Sequence, residues 1–244
     1  LLVTDAQMLD IYSMSKGDVG LLLSRGSLTQ YVGPDVNDVH RSALDIIWTA
    51  SQEFQINPQF LLALLQREQS LVEDQRPTQD QLDWAMGYAV CDDCAKDDPL
   101  IQKFKGFGKQ VYFAAKRIRE SYLGDLNSRG FTETGIGPGR EVVIDHTPIV
   151  PVNNATAVLY TYTPHLHGNE NFVHIWNRWF NNRHVDGSLL QDKITGGIWL
   201  MQQGARGIVY GQTGVEVIIP VIVVGEAVST IIIIRRKQVF LIKN

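Results

Sequence analysis

The chain has 244 residues, 44% of them hydrophobic and 20% charged, with a formal net charge of −4 at pH 7. That length suits one large domain or a medium one with a small companion, and the composition is that of an ordinary globular protein. The acidic balance argues against a nucleic-acid partner, which shows as a basic excess; the one basic run, Arg235-Arg236-Lys237, reads as a solvated strand end.

Leu1-Leu2-Val3 runs at once into Thr4-Asp5, so no signal peptide is expected there, and a start without Met suggests a processed or truncated product. Residues 4 to 30 predict one or two short helices capped by Asp5 and Ser15, with Val19, Leu22 and Leu23 on one face. Gly26 ends that segment and Gly33-Pro34-Asp35 marks a loop. Asp38 is expected to cap a helix reaching Phe54, with Leu44, Ile47, Trp48 and Ser51 at helical spacing.

Asn57-Pro58 then opens the most informative helix, an Asn to cap free N–H groups followed by a Pro at the first helical position. Leu61, Leu64 and Leu65 precede Glu68 by seven, four and three residues, and Leu71 and Val72 follow it by three and four. A helix gathers those positions on one face, so Glu68 is expected on the apolar stripe. Apolar surroundings disfavour an ionised carboxyl, and a carboxyl that keeps its proton can hand it to a leaving group. The alternative is that Glu68 ends the buried part of the helix and pairs with Arg67 or Arg76.

A polar stretch from Gln75 to Gln81 leads into Leu82–Tyr88 and the sequence Cys91-Asp92-Asp93-Cys94. Half a zinc site is conceivable there but has no second ligand pair, and no strand–helix context supports a redox motif. A local disulfide between Cys91 and Cys94 in an exported protein is the preferred reading, with paired free thiols next. The acidic patch of Asp92, Asp93, Asp97 and Asp98 has no EF-hand spacing and reads as solvated.

Pro99 to Tyr122 is helical in pattern, with Gly106 and Gly108 allowing close packing or approach to a ligand. Residues 123–140 read as loop; their GIGPGR lacks phosphate-loop spacing. Two short strands, Glu141–Asp145 and Ile149–Val152, are expected to join at His146-Thr147, and Asn153-Asn154 opens a further helix. Asn154-Ala155-Thr156 is a glycosylation sequon, relevant only in a eukaryotic secretory route.

Tyr160 to Phe180 is dense in aromatics and hydrogen-bonding groups, including Tyr160, Tyr162 and His165. His165, His167 and His174 lack acidic or Cys partners at ligand spacing, so no metal and no cofactor is expected. The segment suits a carbohydrate cleft, or a packed helix with Phe172, Ile175, Trp176 and Trp179 facing the core. Beyond it lie strand-like runs. The apolar stretch Val215–Ile234 carries Glu216, Pro220, Gly225 and Glu226, which predicts strands and not a membrane span. The expected organisation is a mainly α domain over 1–184, with one short β-hairpin, followed by a small β module over 185–244.

QREQSLVE around Glu68 resembles the catalytic helix of the lysozyme-like superfamily, in particular soluble lytic transglycosylases and goose-type lysozymes. In that family Ser directly follows the Glu; here Gln69 intervenes and Ser70 comes second. Ala85-Met86-Gly87-Tyr88 resembles the start of the family's cleft-lining segment, DPLIQKFKGFGKQVYFAAKRI its next helix, and ATAVLYTYTPH its Tyr-bearing segment. LLALLQREQSLVED, QLDWAMGYAVCDDC, KFKGFGKQ and NNATAVLYTYTPHLHGNENF are together similar to exported bacterial proteins with a lysozyme-like domain, over residues 5 to 180.

The resemblance implies a lysozyme-like fold and cleavage of peptidoglycan glycan strands between N-acetylmuramic acid and N-acetylglucosamine. It implies Glu68 as general acid/base and Tyr162 as the residue that orients it, with Tyr160 second in line. Ser70, Gly87, Tyr88, Tyr160 and His165 are the expected substrate-binding residues. Glycosidases commonly use two carboxylates, for which Glu73, Asp74, Asp83, Asp92 and Asp93 are the candidates; lytic transglycosylases manage with one Glu, the sugar's own 6-hydroxyl attacking. The expected setting is extracellular, at the cell surface or wall. The rival reading is a non-catalytic surface protein that binds glycan, or assembles through the C-terminal β module. A Cys- or Ser-dependent hydrolase is disfavoured because no GxSxG occurs and neither cysteine has a His partner in sequence.

Overall fold

A computed structural model of the chain describes residues 3–90 and 97–181, and beyond these the backbone of four strands between 208 and 243. Cys91 and Cys94, with the disulfide expected of them, and Asp92 and Asp93 lie outside the described residues. The chain forms two compact units, Leu1–Asn181 and Asn182–Asn244.

The first unit is mainly helical. Its centre is α4 (Pro58–Gln69), in which every residue from Pro58 to Gln66 is buried. Phe60, Leu61, Leu62, Leu64 and Leu65 are each at most 2% exposed. A helix apolar on all sides must be enclosed on all sides, and each such side chain contributes about 2 kcal/mol by leaving water. α3 (Ala43–Phe54) and α10 (Leu166–Trp176) both pack against α4. The Asn57 side chain caps α4 by accepting from Gln59 N–H, and Pro58 occupies the first turn, as the sequence predicts.

Upstream, α1 (Asp5–Leu9) and α2 (Lys16–Leu23) carry capping boxes on Thr4 and Ser15. Thr4 is therefore the first cap and Asp5 already helical. The loop expected at Gly33-Pro34 is instead a hairpin of β1 (Val32–Pro34) and β2 (His40–Ser42), with Gly33 opposite Arg41. Asp38 sits in its turn with φ 60° and caps nothing; Ser42 caps α3 by accepting from Asp45 N–H. The cause is Asp35, whose Oδ1 accepts from the N–H groups of Asn37 and Val39 and folds the chain back locally.

After α5 (Gln79–Asp83), the predicted helix over 99–122 is divided. α6 (Pro99–Gln102) stops, Gly106 turns with φ 107° and donates to the Asp83 carbonyl, and α7 (Phe107–Lys116) begins. Gly108 serves packing, since a Cβ there would strike the Pro34 carbonyl and Asp35. α7 runs on through a π-helical segment, Arg117–Tyr122, into α8 (Leu123–Arg129), which Gly130 ends in the left-handed region. Residues 123–129 are thus helix and not loop. The second hairpin pairs β3 (Val142–Ile144) with β4 (Thr147–Ile149), shorter than expected. Its turn is Asp145-His146, both with positive φ, one residue earlier than predicted. α9 (Asn154–Tyr162) follows, capped by Asn153.

The second unit contains two antiparallel pairs, β5 (Ile208–Tyr210) with β6 (Glu216–Ile218) and β7 (Thr230–Arg235) with β8 (Gln238–Lys243). Most of the β module expected over 185–244 falls outside the described residues. Among the described residues no helix is long and apolar enough to cross a membrane.

Candidate active site

α4 ends one residue beyond Glu68, and Ser70 then turns left-handed at φ 59° while its N–H donates to the Gln66 carbonyl. The buried Gln66 side chain then accepts from the N–H groups of Val72 and Glu73, so the chain doubles back over the helix end. Glu73 fastens this end to the last helical segment, accepting from Arg178 at 2.8 Å and from Trp179 Nε1 at 3.0 Å.

Glu68 therefore stands at the rim of the core, its side chain 20% exposed. Hydrocarbon lies behind it, but its immediate partner is charged. Arg67 donates through Nε at 2.9 Å and, more closely, through a terminal nitrogen, both to Glu68 Oε1. The Arg67 side chain is only 3% exposed. Its guanidinium lies over the rings of Tyr162, at 5.5 Å, and Phe172, at 5.9 Å. Of the two arginines that the sequence offers as partners, the structure selects Arg67.

The described hydrogen bonds of Glu68 all fall on Oε1. Oε2 turns toward Gly87: a Cβ built there would lie 2.8 Å from it. Gly87 has φ 63°, so both its conformation and the space above it suit the absence of a side chain. Gln110 on α7, fully buried, holds this turn in place. Its Oε1 accepts from Met86 and Tyr88 N–H, and its Nε2 donates to the carbonyls of Tyr88 and Phe104. The Tyr162 hydroxyl, expected to orient Glu68, instead donates to the Met86 carbonyl at 2.6 Å and so restrains the same turn. Burial pushes the Tyr162 hydroxyl well above the usual phenol range, and the Glu68 charge adds to that effect. Tyr88 packs edge-on to Phe104, with ring centroids 5.0 Å apart.

Glu68, Gly87, Tyr88 and Tyr162 thus come together. The other expected residues are placed elsewhere. Ser70 is exposed and terminates α4. His165 pairs with Asp145 Oδ1 at 2.9 Å, tying the start of α10 to the second hairpin. Tyr160 lies with Thr156, Leu159, Asn169, Glu170, Val173 and His174 around a separate pocket between α9 and α10. The carboxylate candidates are engaged: Glu73 as above, Asp74 by Arg76 N–H and Gln81, Asp83 by Lys105 and Gln79.

Sequence reasoning passed over Gln110. Its signal was a lone amide at helical spacing among Phe107, Val111 and Ala114, a pattern that reads as an ordinary apolar face. No group of three or more His, Cys, Asp or Glu side chains forms a metal site among the described residues.

Fold and site together define a class: a helical domain that presents an arginine-paired carboxylate over a glycine turn, beside tyrosines. The family model for the LasA N-terminal domain matches residues 21–190, well over half of the chain, and the chain belongs to that family. LasA itself is a staphylolytic peptidase of an M23-like family. The matched span includes Arg67, Glu68, Gly87, Gln110 and Tyr162. No curated protein and no solved structure matches the chain.

Proposed function

We propose that the domain acts on the bacterial cell wall outside the cell, cleaving glycan strands between N-acetylmuramic acid and N-acetylglucosamine with Glu68 as the acid/base. The carrying observation is Glu68 Oε2, directed at the bare Cα of Gly87 while Arg67 holds Oε1. A proton on Oε2 passes to the glycosidic oxygen, the C1–O bond breaks, and an oxocarbenium-like centre forms. The described candidates for a second carboxylate are engaged in structural bonds, which favours attack by the sugar's own 6-hydroxyl. Oε2 then takes the hydroxyl proton, and the product is a 1,6-anhydro sugar. On this reading Tyr88, next to Gly87, meets the sugar, and Tyr162 is a positioning residue that holds the Met86 carbonyl beneath the turn. Membership in a family named for a staphylolytic peptidase supports a wall-directed role.

The Arg67–Glu68 pair also favours a second reading, a glycan-binding domain without catalysis, since an ion-paired carboxylate suits recognition of sugar hydroxyls. Incubation of wild type and Glu68→Gln with purified peptidoglycan separates the two. Anhydro-muropeptides released by wild type alone support transglycosylation, and new reducing ends support hydrolysis. No release from either protein, with both still pelleting with the wall, supports the binding reading.

A further inference from the structure

The pocket between α9 and α10 stands apart from the Glu68 site and is chemically one-sided. Leu159, 3% exposed, and Val173 give it apolar walls. Its polar lining residues are Thr156, Tyr160, Asn169, Glu170 and His174, the Thr156 hydroxyl being given to Asn153. Asn169 is 5% exposed, and its Nδ2 donates to two carbonyls, of Thr163 at 2.8 Å and His165 at 2.9 Å. Those two bonds fix the amide, leaving Oδ1 as a buried acceptor without a partner among the described residues. A buried acceptor left unpaired is unfavourable. Burial raises the Tyr160 hydroxyl above its ordinary range, and the Glu170 charge adds to this. No Lys or Arg lines the pocket among the described residues, and no described hydrogen bond engages Tyr160, Glu170 or His174 through the side chain.

We propose that this pocket binds a primary ammonium group carried on an aliphatic stem, as on the basic side chain of a peptide. An ammonium offers three donors and no acceptor. The two carboxylate oxygens of Glu170 and the Tyr160 oxygen supply three acceptors, with the charge on Glu170. Leu159 and Val173 flank the methylenes, and the Tyr160 face attracts the cation. An anion would meet Glu170 with no cation to offset it, and a neutral hydroxyl would leave the carboxylate without a counter-charge. On the cell-wall reading above, on which this part of the inference rests, the source is an amino-bearing side chain of a wall peptide. The pocket would then hold the peptide while the glycan lies at Glu68.

The test is an amide-resolved NMR titration of the full chain with Nα-acetyl-lysine methylamide and with its Nε-acetylated form. The free amine is expected to shift the amides of Thr156, Asn169, Val173 and His174 saturably, and the acetylated form is not. Glu170→Gln is exposed and should fold normally, with binding weakened about tenfold by loss of the charged acceptor. Glu68→Gln should bind the amine as wild type does, which separates this inference from the catalytic one. Equal responses to the two probes, undiminished affinity in Glu170→Gln, or shifts confined to other regions would overturn it.

Discussion

Gly87 Cα and Glu68 Oε2 face each other so closely that a single added methyl would lie 2.8 Å from the carboxylate oxygen. Gly87→Ala combines that collision with a left-handed backbone, φ 63°, which costs an L-residue about 1–2 kcal/mol. The expected outcome is a lower urea midpoint together with loss of muropeptide release. Wild-type stability and release in this variant would refute the geometry on which the site is built.

Gln110 is a fully buried amide with all four of its described bonds going to backbone groups at 86, 88 and 104. Gln110→Leu fills similar space but abandons those groups, each costing about 1–3 kcal/mol when left buried and unpaired. With four such groups abandoned, a net loss of about 4 kcal/mol or more is expected by urea unfolding. Amide exchange at Met86 and Tyr88 should rise more than in α3. Exchange that rises evenly across the domain would count against a local clamp.

Arg67 is almost wholly enclosed, so its removal strands a carboxylate at the core's edge. Arg67→Met should lose about 3 kcal/mol, as for a buried pair broken on one side. The double variant Arg67→Met/Glu68→Gln should recover part of that loss, because no charge is then left unpaired. Arg67→Lys should not rescue, since one ammonium cannot replace two guanidinium nitrogens stacked between rings. Additive single losses in the double variant would show that the two side chains do not interact.

The hydrogen bond from Lys16, then that from Ser42, holds the Asp45 carboxyl below the usual carboxylate range. A carboxyl depressed on folding stabilises the fold above its unfolded value and ceases to do so as pH falls through its folded value. Asp45→Asn should therefore weaken the protein at neutral pH and flatten the acid side of its stability profile. Urea midpoints measured from pH 7 downward check this; a profile parallel to wild type at every pH would contradict it.

The centre of the fold was legible because α4 announces itself twice, by Asn57-Pro58 at its start and by an apolar run too dense for a surface helix. Glu68 could be located on it by counting, whereas its nearness to Gly87 and Tyr162 follows from no spacing. Other features carried no periodic signal. The strands Val32–Pro34 and His40–Ser42 are three residues each, too short for alternation to show. The turn at Asp145-His146 depends on Asp145 accepting from Leu166 N–H, a partner 21 residues away. Tyr160 and Tyr162 look interchangeable in sequence, yet two residues turn a helix by more than half a circle, and they serve opposite faces. Gln110 was hidden because a buried amide and a solvated one are spelled alike.

The adjacency of Arg67 and Glu68 has a consequence for encounter with a ligand. Opposite charges on neighbouring residues cancel at long range, leaving a dipole whose field fades faster than that of either ion. Beyond the screening length of about 8 Å in physiological salt, an approaching polymer feels almost nothing from this pair. The pair itself therefore adds little to long-range steering, and any ionic-strength dependence of arrival comes from other charges.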